Sequence, residues 1–130
     1  MVNIKCKTLL WFWFPILAYA GLIFYLSSLE RPPVPFEFWN ADKLYHFIEY
    51  AVFSFLLVRA LRFSFPNIRL PQYTILITTL YGISDEVHQF FVPGRYFSIV
   101  DMVFDAIGGV LGVYIYYFII KKLDSETNSE

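Results

Sequence analysis

The chain has 130 residues, 58% of them hydrophobic and only 16% charged, with a formal net charge of -1. So large an apolar share excludes an ordinary soluble domain, the near-neutral charge without a basic stripe argues against a nucleic-acid partner, and the single cysteine, Cys6, excludes an internal disulfide or a cysteine-built zinc site. A small membrane protein is what remains.

Four apolar stretches follow one another, each near the ~20 residues that carry a helix across a ~30 Å hydrocarbon core. The first, residues 8–29, is preceded by Lys5 and Lys7, and Ala18-Tyr19-Ala20 imitates a signal cleavage site. Its apolar run continues from Gly21 through Leu26 without the polar break of a cleaved signal, so it reads as a spanning helix, with Pro15 as the place for a bend. The connection Pro32-Pro33-x-Pro35 is stiff, and Asn40 or Asp42 is placed to cap the second helix, residues 44–61. Pro71 suits the first turn of the third, residues 73–92. Ser98-Ile99-Val100-Asp101 has the form of a capping box, with Asp for the usual Glu, and starts the fourth, residues 99–120. From Asp124 to Glu130 the composition turns polar and predicts a mobile tail, so the chain divides into a four-span domain, residues 1–123, and a tail, residues 124–130.

Ten Lys and Arg residues set the expected orientation. Lys5, Lys7, Arg59, Arg62, Arg69, Lys121 and Lys122 fall on one side of the four stretches, and Arg31, Lys43 and Arg95 on the other. Positive charge collects in the cytoplasm, so both termini are expected there, with the first and third loops outside. Trp11, Trp13 and Trp39 fall near the two surfaces, and the ten Tyr and fifteen Phe read mostly as lipid-facing or interfacial filling. The predicted fold is all-α, an integral membrane four-helix bundle.

Within so oily a chain the polar residues carry the information, because each ionisable side chain inside a span costs roughly 2.5 to 3.5 kcal/mol. Asp42, His46, Glu49 and Phe53 keep to one face of the second helix; Thr78, Gly82, Asp85 and Gln89 to one face of the third; Asp101, Asp105, Gly108 and Gly112 to one face of the fourth. At ~1.5 Å per residue, Glu49, Asp85 and Asp105 each lie roughly 9 to 10 Å inside the same end of the bundle, so three carboxylates are expected at one level. His46, Gln89 and Asp101 form a second layer nearer the surface, within reach of Arg95. Gly108-x-x-x-Gly112 removes bulk from the face that carries the acids and lets that helix approach its neighbours.

Glu49, Asp85, Glu86, Asp101 and Asp105 outnumber the neighbouring cations Lys43 and Arg95, and His46 and His88 add charge only when protonated. Carboxylates crowded where water is scarce cannot all stay ionised; they hold a proton, pair with a cationic side chain or coordinate a metal ion. An acid/base site would use His46 with Glu49 or Asp85, Glu86 standing beside them as a further catalytic candidate, and Arg95 would hold an anionic phosphate or carboxylate. Asp42, Lys43, Gln89, Asp101 and Asp105 complete the set as ligand-binding candidates. His46-x-x-Glu49 and Asp85-x-x-His88 have the carboxylate and histidine spacing of helical-bundle metal sites. His88 falls off the Asp85 face, however, and the ligand sets are incomplete, so no metal is assigned and no cofactor identified. A small proton- or ion-coupled transporter is a second reading, though four spans would need to oligomerise for alternating access. A third is a non-catalytic network in which these side chains satisfy one another across helices. Serine nucleophiles lack a Gly-x-Ser-x-Gly turn.

Asp42-Lys43-x-x-His46-x-x-x-Tyr50 resembles the first signature of the VanZ-like family of small bacterial membrane proteins. Asp85-Glu86-x-x-Gln89-x-Phe91-x-Pro93-Gly94-Arg95, continuing through Asp101-x-x-x-Asp105-x-x-Gly108-x-x-x-Gly112, is similar to its second. Position 105 is Asp here, where many relatives carry Asn. The resemblance implies a multi-pass protein of the bacterial plasma membrane connected with the cell envelope, in a family named for an association with resistance to the glycopeptide teicoplanin. Its implied partners are membrane lipids and a lipid-linked cell-wall precursor or a glycopeptide. His46, Asp85, Glu86, Gln89, Arg95, Asp101 and Asp105 are family-site positions by that resemblance, without assigned roles, and no defined reaction is implied.

Overall fold

The computed structural model describes residues 4–33, 35–36, 38–66 and 69–127; the side chains of residues 4–7 and residues 128–130 of the expected tail lie outside the described set. Four helices follow in order, α1 (Ile4–Ser27), α2 (Ala41–Ser64), α3 (Leu70–Phe90) and α4 (Ile99–Thr127), and the described residues contain no strand. The all-α, four-helix reading of the apolar stretches is therefore the observed architecture. Among the described residues three helices are long and apolar enough to cross a membrane: Thr8–Ser27 of α1, and the whole of α2 and α4. α3 has the length, at 21 residues, but its polar residues lower its hydropathy. Those residues, Thr74, Thr78, Asp85, Glu86 and Gln89, are buried against the other helices.

Helix ends follow local chemistry with two departures from expectation. Asn40 precedes α2 in the left-handed region (φ 62°, ψ 26°), and its side chain makes no capping hydrogen bond. Asparagine tolerates that backbone conformation, so Asn40 turns the chain into the helix instead of capping it. Asp42 lies within the first turn of α2, where Lys43 Nζ meets its Oδ2 at 2.9 Å. Pro71 occupies the first turn of α3 as expected. α4 runs on to Thr127, past the expected start of the tail at Asp124. No Gly or Pro stops it there, and Lys122 stands four residues before Glu126, a spacing that supports a helix.

The bundle is apolar at one end and polar at the other. Ile16 and Ile23 of α1 pack with Phe53, Leu57, Val58, Ala60 and Leu61 of α2, Leu70 of α3 and Tyr116 of α4 in a buried cluster. α2 and α4 come closest together. A Cβ on Gly108 would fall on the backbone oxygen of Phe47, and one on Gly112 on that of Ala51, so the small-residue stripe read from the sequence is what lets the two backbones meet. Ser54 Oγ donates across this seam to Gly109 O at 2.6 Å. α1 is peripheral and leaves Leu10, Trp11, Phe14, Leu17 and Tyr25 exposed, as lipid-facing residues should be. It is tied on by polar contacts, Trp13 Nε1 to Ser64 Oγ at 2.7 Å and Tyr81 Oη to Ala20 O at 2.7 Å. Not all the aromatic residues are filler, however: Tyr50, Phe53 and Tyr116 are buried inside the bundle.

In the loop between α1 and α2, Tyr45 of α2 holds Phe36. Tyr45 Oη donates to Phe36 O at 2.7 Å and accepts from Phe36 N–H at 2.9 Å. Tyr45→Phe removes both bonds at an exposed site and should cost about 0.5–1.5 kcal/mol at most. Hydrogen exchange at the Phe36 amide should accelerate while amides in the α2 to α4 seam keep their protection; unchanged exchange at Phe36 would deny Tyr45 this role.

Candidate functional site

The polar end of the bundle encloses a chamber of about 540 Å³ whose mouth is bordered by Pro32 and Pro33 of the first loop and by Gly94, Arg95 and Tyr96 of the third. Its walls differ in chemistry. α1 contributes Tyr19, Leu22, Ile23, Leu26 and Ser27, and α2 adds Ile48, so this part of the lining is mostly apolar. The polar part of the lining includes Asp42, Lys43, His46, Glu49, Asp85, Gln89, Arg95 and Asp101. Helix periodicity explains this: His46 and Glu49 share one face of α2, Asp85 and Gln89 one face of α3, and Asp101 points inward from the first turn of α4.

Arg95 is positioned through a relay. Its Nη2 donates to Gln89 Oε1, and Gln89 Nε2 donates to Asp85 Oδ2 at 2.9 Å. The guanidinium, partly exposed at the mouth, is thereby anchored on α3. Lys43, the second cation at the mouth, lies between Asp42 and Asp101, with Nζ to oxygen distances of 2.9 and 3.6 Å.

His46 joins two layers that the sequence places separately. Its Nδ1 donates to Asp105 Oδ1 at 2.9 Å, and its Nε2 faces Glu86 Oε1 at 3.8 Å. Asp105 and Glu86 are both wholly enclosed, at 0% exposure, and neither lines the chamber. The expected single layer of Glu49, Asp85 and Asp105 is thus divided: Glu49 and Asp85 face the chamber, and Asp105 stands behind His46. Gly82 makes room for that carboxylate, since a Cβ there would come within 2.8 Å of Asp105 Oδ2. The expected pairing of His46 with Glu49 or Asp85 is likewise replaced by hydrogen bonding to Asp105 and proximity to Glu86.

Glu86 has a second task that the sequence conceals. In a capping box the residue three positions on returns a side chain to the first N–H. Here Ser98 Oγ accepts from Asp101 N–H at 3.2 Å as expected, but the Ser98 N–H donates to Glu86 Oε2 at 2.8 Å. Glu86 therefore completes the cap of α4 from α3. The signal was available, because Thr78, Gly82 and Glu86 form an i, i+4, i+8 stripe beside the one through Asp85; α3 packs against both α2 and α4 and buries a wide arc. Several polar atoms in this region are buried without a hydrogen bond: Tyr50 Oη, Thr78 Oγ1, Glu86 Oε1, Asp101 Oδ1 and Asp105 Oδ2. Tyr50, one turn from His46 with its ring parallel to the imidazole at 6.5 Å, was legible only as an aromatic residue in a motif.

His88 stays outside this group. It stacks on Phe24 at 4.5 Å and is hydrogen-bonded through Nε2 to Ser28 Oγ at 2.9 Å, fastening α3 to the end of α1. Neither helical pair, His46 with Glu49 or Asp85 with His88, forms a ligand set. Among the described residues the donors that converge are His46, Glu86 and Asp101, one from each of α2, α3 and α4.

A family model described as VanZ/LLP1 matches residues 8–121, a span that contains both polar signatures and the glycine seam. No curated protein and no solved structure matches the chain.

Proposed function

The chain belongs to the VanZ/LLP1 family, and from that membership and the two-walled chamber we propose that it binds an anionic, lipid-linked component of the bacterial cell envelope. The head group sits against Arg95 and Lys43, and the hydrocarbon follows the apolar wall of α1. The observation that carries this reading is the placing of two cations, Arg95 and Lys43, among the acids of a cavity of about 540 Å³ that also has an apolar flank, a size suited to a small ligand or a head group. Guanidinium can grip phosphate or carboxylate with two donors, and the relay through Gln89 to Asp85 holds Arg95 ready. All four helices cross the plasma membrane in this reading, with both termini inside. The Lys and Arg distribution supports that topology and turns the chamber's mouth outward, toward wall precursors. The family's association with teicoplanin resistance supports the same compartment, with a lipid-linked wall precursor as ligand and a glycopeptide as a further candidate.

Purified protein in detergent should bind a long-chain isoprenyl phosphate saturably and the matching uncharged isoprenol at least tenfold more weakly. Arg95→Ala should weaken phosphate binding by tenfold or more, and Arg95→Lys by less, since a lysine keeps charge but loses the two-pronged contact. Unchanged saturable binding by Arg95→Ala would remove Arg95 from the site, and no binding by the native chain would remove the ligand class.

A further inference from the structure

We propose that His46, Glu86 and Asp101 hold a divalent metal ion of the zinc or manganese class in the wall of the chamber, with Asp105 orienting the imidazole. All three residues are buried, and one donor atom from each lies within 4.8 Å of the other two. Ligand bonds of about 2.0–2.2 Å place bound donors roughly 3–4 Å apart. Closing the set therefore takes small side-chain adjustments and no movement of the helices.

Two independent features point to an ion. The first is the orientation of His46. Its Nδ1 is occupied by Asp105, which leaves Nε2 as the ligand atom, and Nε2 stands 3.8 Å from Glu86 Oε1. That separation is too long for a hydrogen bond and suits two donors on one ion. A carboxylate on the far nitrogen is also how metal-bound histidines are commonly fixed and made more basic. The second feature is a pair of orphaned oxygens. Glu86 is 0% exposed, its Oε2 is held by the Ser98 N–H, and its Oε1 is thereby aimed at His46 with no hydrogen bond of its own. Asp101 Oδ1 is buried without a hydrogen bond as well.

An imidazolium at His46 would leave Glu86 Oε1 at 3.8 Å, beyond hydrogen-bond reach, and Asp101 Oδ1 still without a hydrogen bond. Lys43 Nζ stops 3.6 Å from Asp101 Oδ1, close enough to lower the local negative charge and too far to hydrogen-bond. A divalent ion answers Glu86 and Asp101 together. One imidazole nitrogen and two carboxylate oxygens suit zinc or manganese better than copper(I), which favours sulfur, or calcium, which favours oxygen alone. Because His46 and Asp101 line the chamber, the open coordination positions of the ion face the space proposed for the head group. The three donors stand whether or not a lipid binds there, so this site does not rest on the anion-binding reading.

Chelator-stripped protein in detergent, with no lipid ligand added, is titrated with manganese and with zinc by calorimetry, and the manganese form is examined by pulsed electron paramagnetic resonance. One ion per chain is expected, with nitrogen coupling that vanishes in His46→Gln. Glu86→Gln keeps an acceptor for the Ser98 N–H and should weaken affinity at least tenfold; Asp105→Asn should weaken it by roughly 10–100-fold, as loss of an orienting partner does. Glu30→Gln, which changes an exposed carboxylate outside the chamber lining, should stay within twofold of the native chain. No ion uptake by the native protein overturns the site, as does native-like affinity in Glu86→Gln with its helical circular dichroism intact. If Glu86→Gln does not fold, Asp101→Asn carries the same decision.

Discussion

Gly112→Leu is expected to prevent assembly of the bundle, and Gly112→Ala to destabilise it by about 1–3 kcal/mol or more, the usual range for forcing atoms into a packed interior. A Cβ at position 112 would land on the Ala51 carbonyl oxygen and lie 2.9 Å from the Phe55 amide nitrogen. Both are backbone atoms of α2 and cannot swing aside like the end of a side chain. Relief requires α4 to retreat along the seam, which also pulls Gly109 O away from Ser54 Oγ. Gly108→Ala meets the Phe47 carbonyl oxygen in the same way, so the two sites should be coupled and not additive. Gly21→Ala is the internal control: no atom lies within 4 Å of its added Cβ, and a mid-helix Gly to Ala change should be neutral or favourable by up to roughly 1 kcal/mol. Unfolding of the purified variants in graded denaturing detergent ranks them. A Gly112→Ala protein as resistant as Gly21→Ala would mean that α2 and α4 are not held at this distance.

How far the sequence revealed this arrangement depended on the range of the interaction. Helix number and the inward faces of α2, α3 and α4 follow from apolar length and the 3.6-residue period, and those signals lie within single segments. The glycine seam was legible for the same reason, since spacing along α4 alone exposes it. Relations between segments were harder. His46 is expected to pair with Glu49, on its own helix face, or with Asp85, but its hydrogen bond goes to Asp105, 59 residues away. Glu86 was legible as a catalytic candidate but not by its contacts, because its duties at Ser98 and toward His46 arise where α3 meets the start of α4 and the side of α2. Asn40 misled for a local reason: the residue type that caps helices is also one that accepts a left-handed turn.

Those long-range contacts set the second large effect. His46→Ala should destabilise the chain by roughly 3–5 kcal/mol, the range for removing one partner of a buried charged pair, because it leaves Asp105 wholly enclosed with neither oxygen hydrogen-bonded. Asp105→Ala should cost a comparable amount, since it frees the imidazole to turn and opens a void beside Gly82. The double variant should lose less than the sum, with a coupling energy of up to about 3 kcal/mol, because the second substitution removes the very group that the first left stranded. Asp105→Asn should be far milder in stability, as its side-chain oxygen can still accept from His46 Nδ1 while the burial of a carboxylate is relieved. Denaturing-detergent titrations of the four proteins close the cycle. Strictly additive losses would show that His46 and Asp105 contribute separately, and the inner layer would then be ordinary packing and not a unit that presents His46 to the chamber.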